Sequence, residues 1–424
     1  MNTPSNFPLL PKKFSYSSSS LPSFLKKTPT SSTLPSVTSP NISPVFCCNS
    51  ANNSTDLSKK GKRYSAFVLP IAPLLVSYPQ YKKPSYSMGH IDPIRMYGVN
   101  SYKGLVKNYN EDRVSIVLNI KKPKDYEGYW PKNLSIFGVF DGHSGNPCSN
   151  FLRDNFHIYL LKSQMFPKDI EGALHDAFTR LENDFLSNVA IAKDNTLNDK
   201  SGSCALVTVF ADKNLYIANI GDSRAIMSSY YGKEVTQITK DHKPEVKSEK
   251  KRIKENEGVV YKVNSFNILY RILPGNLSVS RTIGDAGSKV PFLGGKLGVI
   301  ISTPEIYKIK LDESKHDFIL MGSDGIYDKL DNEDLIRGIW STLDYKESLG
   351  NNVNEQGGIC ADMAIKMAMN NRSKDNVSAI IIGFNNFEKK FNERKENLEA
   401  KSKVDDNDED CNTTIELITD DNNN

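Results

Sequence analysis

The sequence predicts an α+β fold in which antiparallel sheets are covered by helices. Three observations lead there. Short apolar runs of strand length recur through the middle of the chain. Two of them, at 205–210 and 215–220, are joined by only four residues, enough for a hairpin and too few for a crossover helix. Segments with helical spacing of apolar residues lie between other runs.

Composition bounds the class. The chain has 424 residues, enough for one large domain or two ordinary ones. Its 38% apolar and 25% charged residues fit a soluble core. The 54 basic and 50 acidic residues leave a net charge of +4, which gives no nucleic-acid or membrane signal. The six cysteines (Cys47, Cys48, Cys148, Cys204, Cys360 and Cys411) form neither a zinc pattern nor a disulfide framework, so a reducing compartment is expected. "AFVLPIAPLLV" at 66–76 is too short to span a bilayer and carries two prolines, so no transmembrane segment is expected. Nothing indicates an obligate oligomer.

Three zones follow in order. Residues 1–92 read as a disordered Ser/Pro-rich leader, because such a composition cannot bury enough apolar surface to offset chain entropy. Its acid-poor, Ser-rich start also fits organelle targeting. That reading stays open beside a cytoplasmic or nuclear default. Residues 93–386 read as one folded domain. Residues 387–424 read as a tail: a charged segment, "EKKFNERKENLEAKSK", that could be helical, then an acidic, Asn-rich end.

Within the domain, "RVSIVL" (113–118) and "SIFGVF" (135–140) read as strands by length and β-branched content. "DIEGALHDAFTRLENDFLSNV" then places Ile170, Leu174, Phe178, Leu181 and Phe185 on one helical face. The hairpin 205–210/215–220 follows, and "FILM" (318–321) is another strand. "NEDLIRGIWSTL" reads as a helix with Asn332 as N-cap and Asp334 in its first turn. "EQGGICADMAIKMAMN" reads as a helix from about Ile359, and "VSAIIIGF" (377–384) as the last strand.

Acids stand at the ends of these strands. Glu111 and Asp112 precede the first run, and Asp141 follows the second. Asp222 follows the hairpin and Asp324 follows "FILM". Asp375 precedes the last strand. If the strands pair as expected, several acids converge at one edge, where like charges raise each other's pKa. A divalent cation removes the conflict, and oxygen-only ligands favour Mg²⁺ or Mn²⁺ over Zn²⁺. Gly142 could offer its carbonyl at close range. Singly, each acid also reads as ordinary turn chemistry. No stretch has the alternating acids of an EF-hand loop.

The blocks "NEDR", "VFDGHSG", "SGSCA", "IANIGDSRAI", "DHKPEVKSEKKRI", "GNLSVSRTIGD", "FILMGSDGIYD" and "RSKDNVSAIII" occur in this order. Together they resemble the metal-dependent Ser/Thr protein phosphatases of the protein phosphatase 2C family, over about residues 93–386. The resemblance implies a four-layer α-β-β-α sandwich of two antiparallel sheets flanked by helices. It implies two Mg²⁺ or Mn²⁺ ions, with a weaker third. Asp141 would bridge the two ions. Glu111 and the Gly142 carbonyl would complete one, and Asp324 and Asp375 would hold the other. Asp222 would join Asp324 at the third ion, and Asp112 would orient bound water. His143 would protonate the departing Ser or Thr oxygen. Phosphorylated proteins would be the substrates. A pseudophosphatase that only binds phosphoproteins is the alternative.

Two positions depart from the family pattern. Lys107 stands where an arginine often grips phosphate, which keeps the charge and loses the bidentate fork. Arg281 and Arg113 are substitute candidates, with Arg281 also suited to bracing the core around the acids. Cys204 replaces the usual threonine and is expected to pack as a small apolar residue.

Overall fold

The computed structural model describes residues 72–263 and 269–410. Two antiparallel sheets form its centre. One is ordered, from edge to edge, Glu305–Lys310, Asn214–Ile220, Ala205–Ala211, Leu134–Phe140 and Arg113–Val117. The other runs Ser85–Tyr86, Met96–Tyr102, Val377–Gly383, His316–Gly322, Arg224–Ser229 and Glu234–Gln237.

The central strands read as unbroken apolar runs because both of their faces are buried. In Leu134–Phe140, Phe137 and Val139 face the other sheet, while Leu134, Ile136 and Phe140 face helices. Ile319 and Met321, with Ile380 and Ile382, meet them from the second sheet. Phe318, Leu320, Ala379 and Ile381 point outward to their own helices. This is a sandwich core with a helical layer on each side. The helices Pro147–Leu161 and Ile170–Phe185 cover the first sheet. Asn332–Ser341, Val353–Asn370 and the start of Asn385–Asp410 cover the second. The four layers are those that the family resemblance implies. Among the described residues, no helix is long and apolar enough to cross a membrane.

Several boundaries differ from the sequence reading. The helix expected from about Ile359 starts at Val353, where the Asn352 side chain accepts from the Glu355 amide at 3.0 Å. Gly357 and Gly358 lie inside it as spacers, not breakers. A Cβ on Gly98 would sit 1.8 Å from the Gly357 carbonyl oxygen, so helix and strand touch backbone to backbone. Asn332 is the first helical residue and Asp331 the N-cap; the Asn332 side chain instead accepts from Arg224 at 2.9 Å and donates to Gln237 at 3.1 Å. The strand Met96–Tyr102 had no apolar run to betray it, because Gly98 and Asn100 take buried positions on the face covered by the helix Val353–Asn370.

Packing extends beyond both expected domain boundaries. Tyr78 and Tyr81 pack on the core of the second sheet, and the Tyr81 hydroxyl donates to Asp362 at 2.5 Å. Phe387 and Phe391 are buried in the same core. Residues 1–71 and 411–424, and with them most of the leader and the acidic end, lie outside the described residues.

A buried ion pair fixes one turn that matters for the site. Glu182 accepts from the Lys289 ammonium at 2.5 Å and from the Gly284 amide at 2.8 Å, and Lys289 also reaches the Thr282 carbonyl at 2.8 Å. Burial raises the Glu182 carboxyl despite Lys289, so the pair is held at a desolvation cost. Lys289→Met should therefore destabilise the fold by about 3–5 kcal/mol in urea denaturation, and adding Glu182→Gln should recover much of the loss.

Candidate metal and catalytic site

The strand registers bring the acids level. Arg113 pairs with Phe140 and Ala205 with Ile220 in one sheet, and Gly322 pairs with Ala379 in the other. The residues just beyond those ends are Glu111, Asp112, Asp141, Asp222, Asp324 and Asp375. Carboxylate oxygens of Asp141, Asp222 and Asp324 lie within 4.8 Å of one another. The Asp324 amide points at Asp141 Oδ2, 3.4 Å away. Lys107 Nζ is 2.7 Å from Asp375 and 3.9 Å from Glu111.

Local contacts fix each acid. Glu111 Oε1 accepts from the Gly145 amide at 2.6 Å, and its carbonyl accepts from Ser149 at 2.6 Å. A Cβ on Gly142 would lie 2.5 Å from that carbonyl and 2.8 Å from Ser149 Oγ, so only glycine fits beside Glu111. Asp112 Oδ2 accepts from the Ser323 and Ser378 hydroxyls at 2.9 and 2.7 Å, while its Oδ1 is buried with no partner among the described residues.

The acids share one electrostatic problem. Burial, then the charges of Asp324, Asp112 and Asp222, push Asp141 well above the usual carboxylate range. Burial, then Asp222 and Asp375, does the same to Asp324. Burial raises Asp112 to about 6, held back by its two serine bonds. Burial also raises Asp222, opposed by Lys243, whose Nζ is 3.6 Å from Asp222 and 3.0 Å from Asp328. An oxygen-only donor set with mutual repulsion and an orphaned buried carboxylate oxygen fits a hard divalent cation.

His143 lies beside this cluster. Its Nε2 is 2.9 Å from Asp285 Oδ2, and Asp285 has left-handed backbone, φ 54°. Burial alone would lower the imidazole pKa; the Asp285 charge and hydrogen bond outweigh it and raise it. Asp285 is itself held low by His143 against its own burial. The turn bearing Asp285 is the one anchored by Glu182 and Lys289.

The two arginine candidates lie elsewhere. Arg281 donates to Glu249 at 2.6 Å, to Glu305 at 3.3 Å and to the Thr303 carbonyl at 3.0 Å. Arg113 donates to Asn150 and to the Asn110 and Asp112 carbonyls. Cys204 is buried, its Sγ 3.5 Å from Asp222. Burial, then Asp222 and Asp141, pushes its thiol well up, so it is no thiolate at neutral pH. Sequence reasoning gave no role to Lys243, Asp285 or Asn376. All three lie inside the quoted blocks, but only the three-dimensional placement reveals their partners.

Comparison with known proteins gives a consistent picture. The family description "Protein phosphatase 2C" matches residues 107–377. The bovine (Bos taurus) protein named Protein phosphatase 1L is 31% identical over 241 residues, 56% of this chain; the match spans 61% of that relative's length. A protein of Arabidopsis thaliana named Probable protein phosphatase 2C 2 is 31% identical over 324 residues, 73% of this chain and 76% of its own. The solved serine-threonine phosphatase 2C of Toxoplasma gondii aligns with TM-score 0.54 at 19% identity. That alignment covers 71% of this chain and 99% of that one, a likeness of fold.

Two outcomes follow from these contacts. Lys243 stands where a cation near Asp222 would be repelled, so Lys243→Gln should tighten Mn²⁺ binding about 5- to 20-fold by calorimetry. Glu249 is held at about 2: burial would raise it, but the hydrogen bonds from Arg281, Ser280 and Arg252 outweigh burial. Its contribution is complete above the ordinary glutamate pKa and is lost as pH falls toward about 2. Glu249→Gln should therefore be less stable than the parent by roughly 2–3 kcal/mol at pH 7, with the gap closing on acidification.

Proposed function

The chain belongs to the protein phosphatase 2C family, and on that premise we propose that it is a metal-dependent protein serine/threonine phosphatase. The observation that carries this reading is the convergence of Asp141, Asp222 and Asp324 within 4.8 Å, with Lys107 and His143 on its flanks. Asp141, Glu111, the Gly142 carbonyl, Asp324 and Asp375 would hold two Mg²⁺ or Mn²⁺ ions, and Asp222 with Asp324 a weaker third. Bound there, such ions supply a water of lowered pKa and neutralise charge on the phosphoryl oxygens.

The chain's own residues do the rest. Asp112 keeps Oδ1 free to orient a water. Lys107 offers one positive charge that the acids and an arriving phosphate share. His143 presents Nε2 to Asp285, so in the charged ring Nδ1 holds the proton that a departing Ser or Thr oxygen requires. Asp285 favours that charged ring and fixes its orientation.

The test is hydrolysis of a phosphothreonine peptide by the full chain with Mn²⁺, with EDTA, and by Asp141→Asn with Mn²⁺. Activity is expected in the first case only, with the substitution costing at least about 100-fold, the scale of losing one preorganised electrostatic group. Peptide binding by folded protein without turnover in any case would instead support the pseudophosphatase reading.

A further inference from the structure

One loop at the edge of the site sends large apolar side chains into water. Leu105, Val106 and Tyr109 are 54%, 63% and 53% exposed, on either side of Lys107. The loop is clamped. Asn376, next to Asp375, donates from Nδ2 to the carbonyls of Lys103 at 2.8 Å and Tyr109 at 3.1 Å, and accepts from the Glu111 amide at 2.8 Å. Asn376 is buried, and Gly104 has φ +78° with no room for a Cβ, which would lie 2.3 Å from the Asp375 carbonyl oxygen. Lys103 Nζ closes the loop on the Lys107 carbonyl at 3.4 Å. Both loop ends are thus tied to the segment that carries Asp375 and Glu111.

Exposed apolar groups that a rigid backbone holds outward add nothing to the core, and such clusters mark interaction surfaces. Here the cluster is continuous with the cation that faces the acids. We propose that residues 105–109 form a docking rim for the substrate peptide, one that takes apolar residues adjoining the phosphorylated Ser or Thr. The inference rests on the phosphatase reading and deepens it. Lys103 and Lys107 give the loop the charge that attracts the phosphate, and Leu105, Val106 and Tyr109 then meet the neighbouring side chains.

The experiment uses the full chain and three fluorescent phosphothreonine peptides that differ only in the adjoining residues: Leu/Val, Ser/Gly or Asp. Affinity is read by anisotropy in EDTA, where nothing turns over, and kcat and KM are read separately with Mn²⁺. The Leu/Val peptide should bind about tenfold tighter than the Ser/Gly peptide, about 1.4 kcal/mol, with the difference appearing in KM. The double variant Leu105→Ser, Val106→Ser should lose that preference while hydrolysing a small aryl phosphate at the parental rate. Equal affinities, a preference for the Asp peptide, or a preference that survives the double substitution would overturn the inference. Apolar preference in EDTA without hydrolysis of any phosphoester would keep the docking rim and sink the phosphatase reading; hydrolysis without preference would do the reverse.

Discussion

Repulsion between carboxylates at the meeting edge of two sheets is the constraint on which the rest depends. The facing oxygens of Asp141, Asp222 and Asp324 lie within 4.8 Å of one another, and two unit charges that close repel by at least about 3.5 kcal/mol at an effective dielectric of 20. A few such pairs rival the whole net stability of a domain, about 5–15 kcal/mol. Something must offset them. The chain supplies Lys107 from the side of Glu111 and Asp375, and Lys243 from the side of Asp222 and Asp328. The raised pKa values of Asp141, Asp324, Asp222 and Asp112 show that the conflict persists with both lysines in place. Frustration confined to one place in an otherwise consistent fold is what a functional site looks like.

The scaffold can bear this load because its central strands are buried on both faces. Residues of Leu134–Phe140 reach the inter-sheet core and the helical layer alternately, so the strand cannot slip by one residue without exchanging both faces. Fixed register fixes where the strands end, and hence where the acids stand. Smaller devices complete the placement. Gly142 lets its strand lie against Glu111, the two serines hold Asp112, and the Glu182–Lys289 pair anchors the turn that aims Asp285 at His143.

The sequence made the strands legible where apolar runs end in acids, since burial on both faces leaves an unbroken hydrophobic signature. It hid features whose cause is an unseen neighbour. Gly357 and Gly358 look like helix breakers until Gly98 is known to lie against them. Asn332 looks like a cap until Arg224 and Gln237 claim its side chain. Arg281 could be paired with phosphate or with an acid on charge alone, and only the fold shows Glu249 waiting for it. The acids were readable as a group because each sits at a local boundary. The pairing of His143 with Asp285 and of Lys107 with Asp375 was not, because those partners lie far away in sequence.

The tyrosines upstream of the first long strand bear on the chain's life after synthesis. The Tyr102 hydroxyl donates to the Pro79 carbonyl at 2.9 Å, Asn100 donates to the Tyr81 hydroxyl at 2.9 Å, and Ser87 donates to Asn354 at 2.5 Å. The stretch from Tyr78 onward is therefore built into the second sheet and its covering helix. A maturation protease that trimmed the amino-terminal portion would meet a hard stop here. Cuts past Tyr78 would strip aromatic rings from its core and turn a processing event into the first step of degradation.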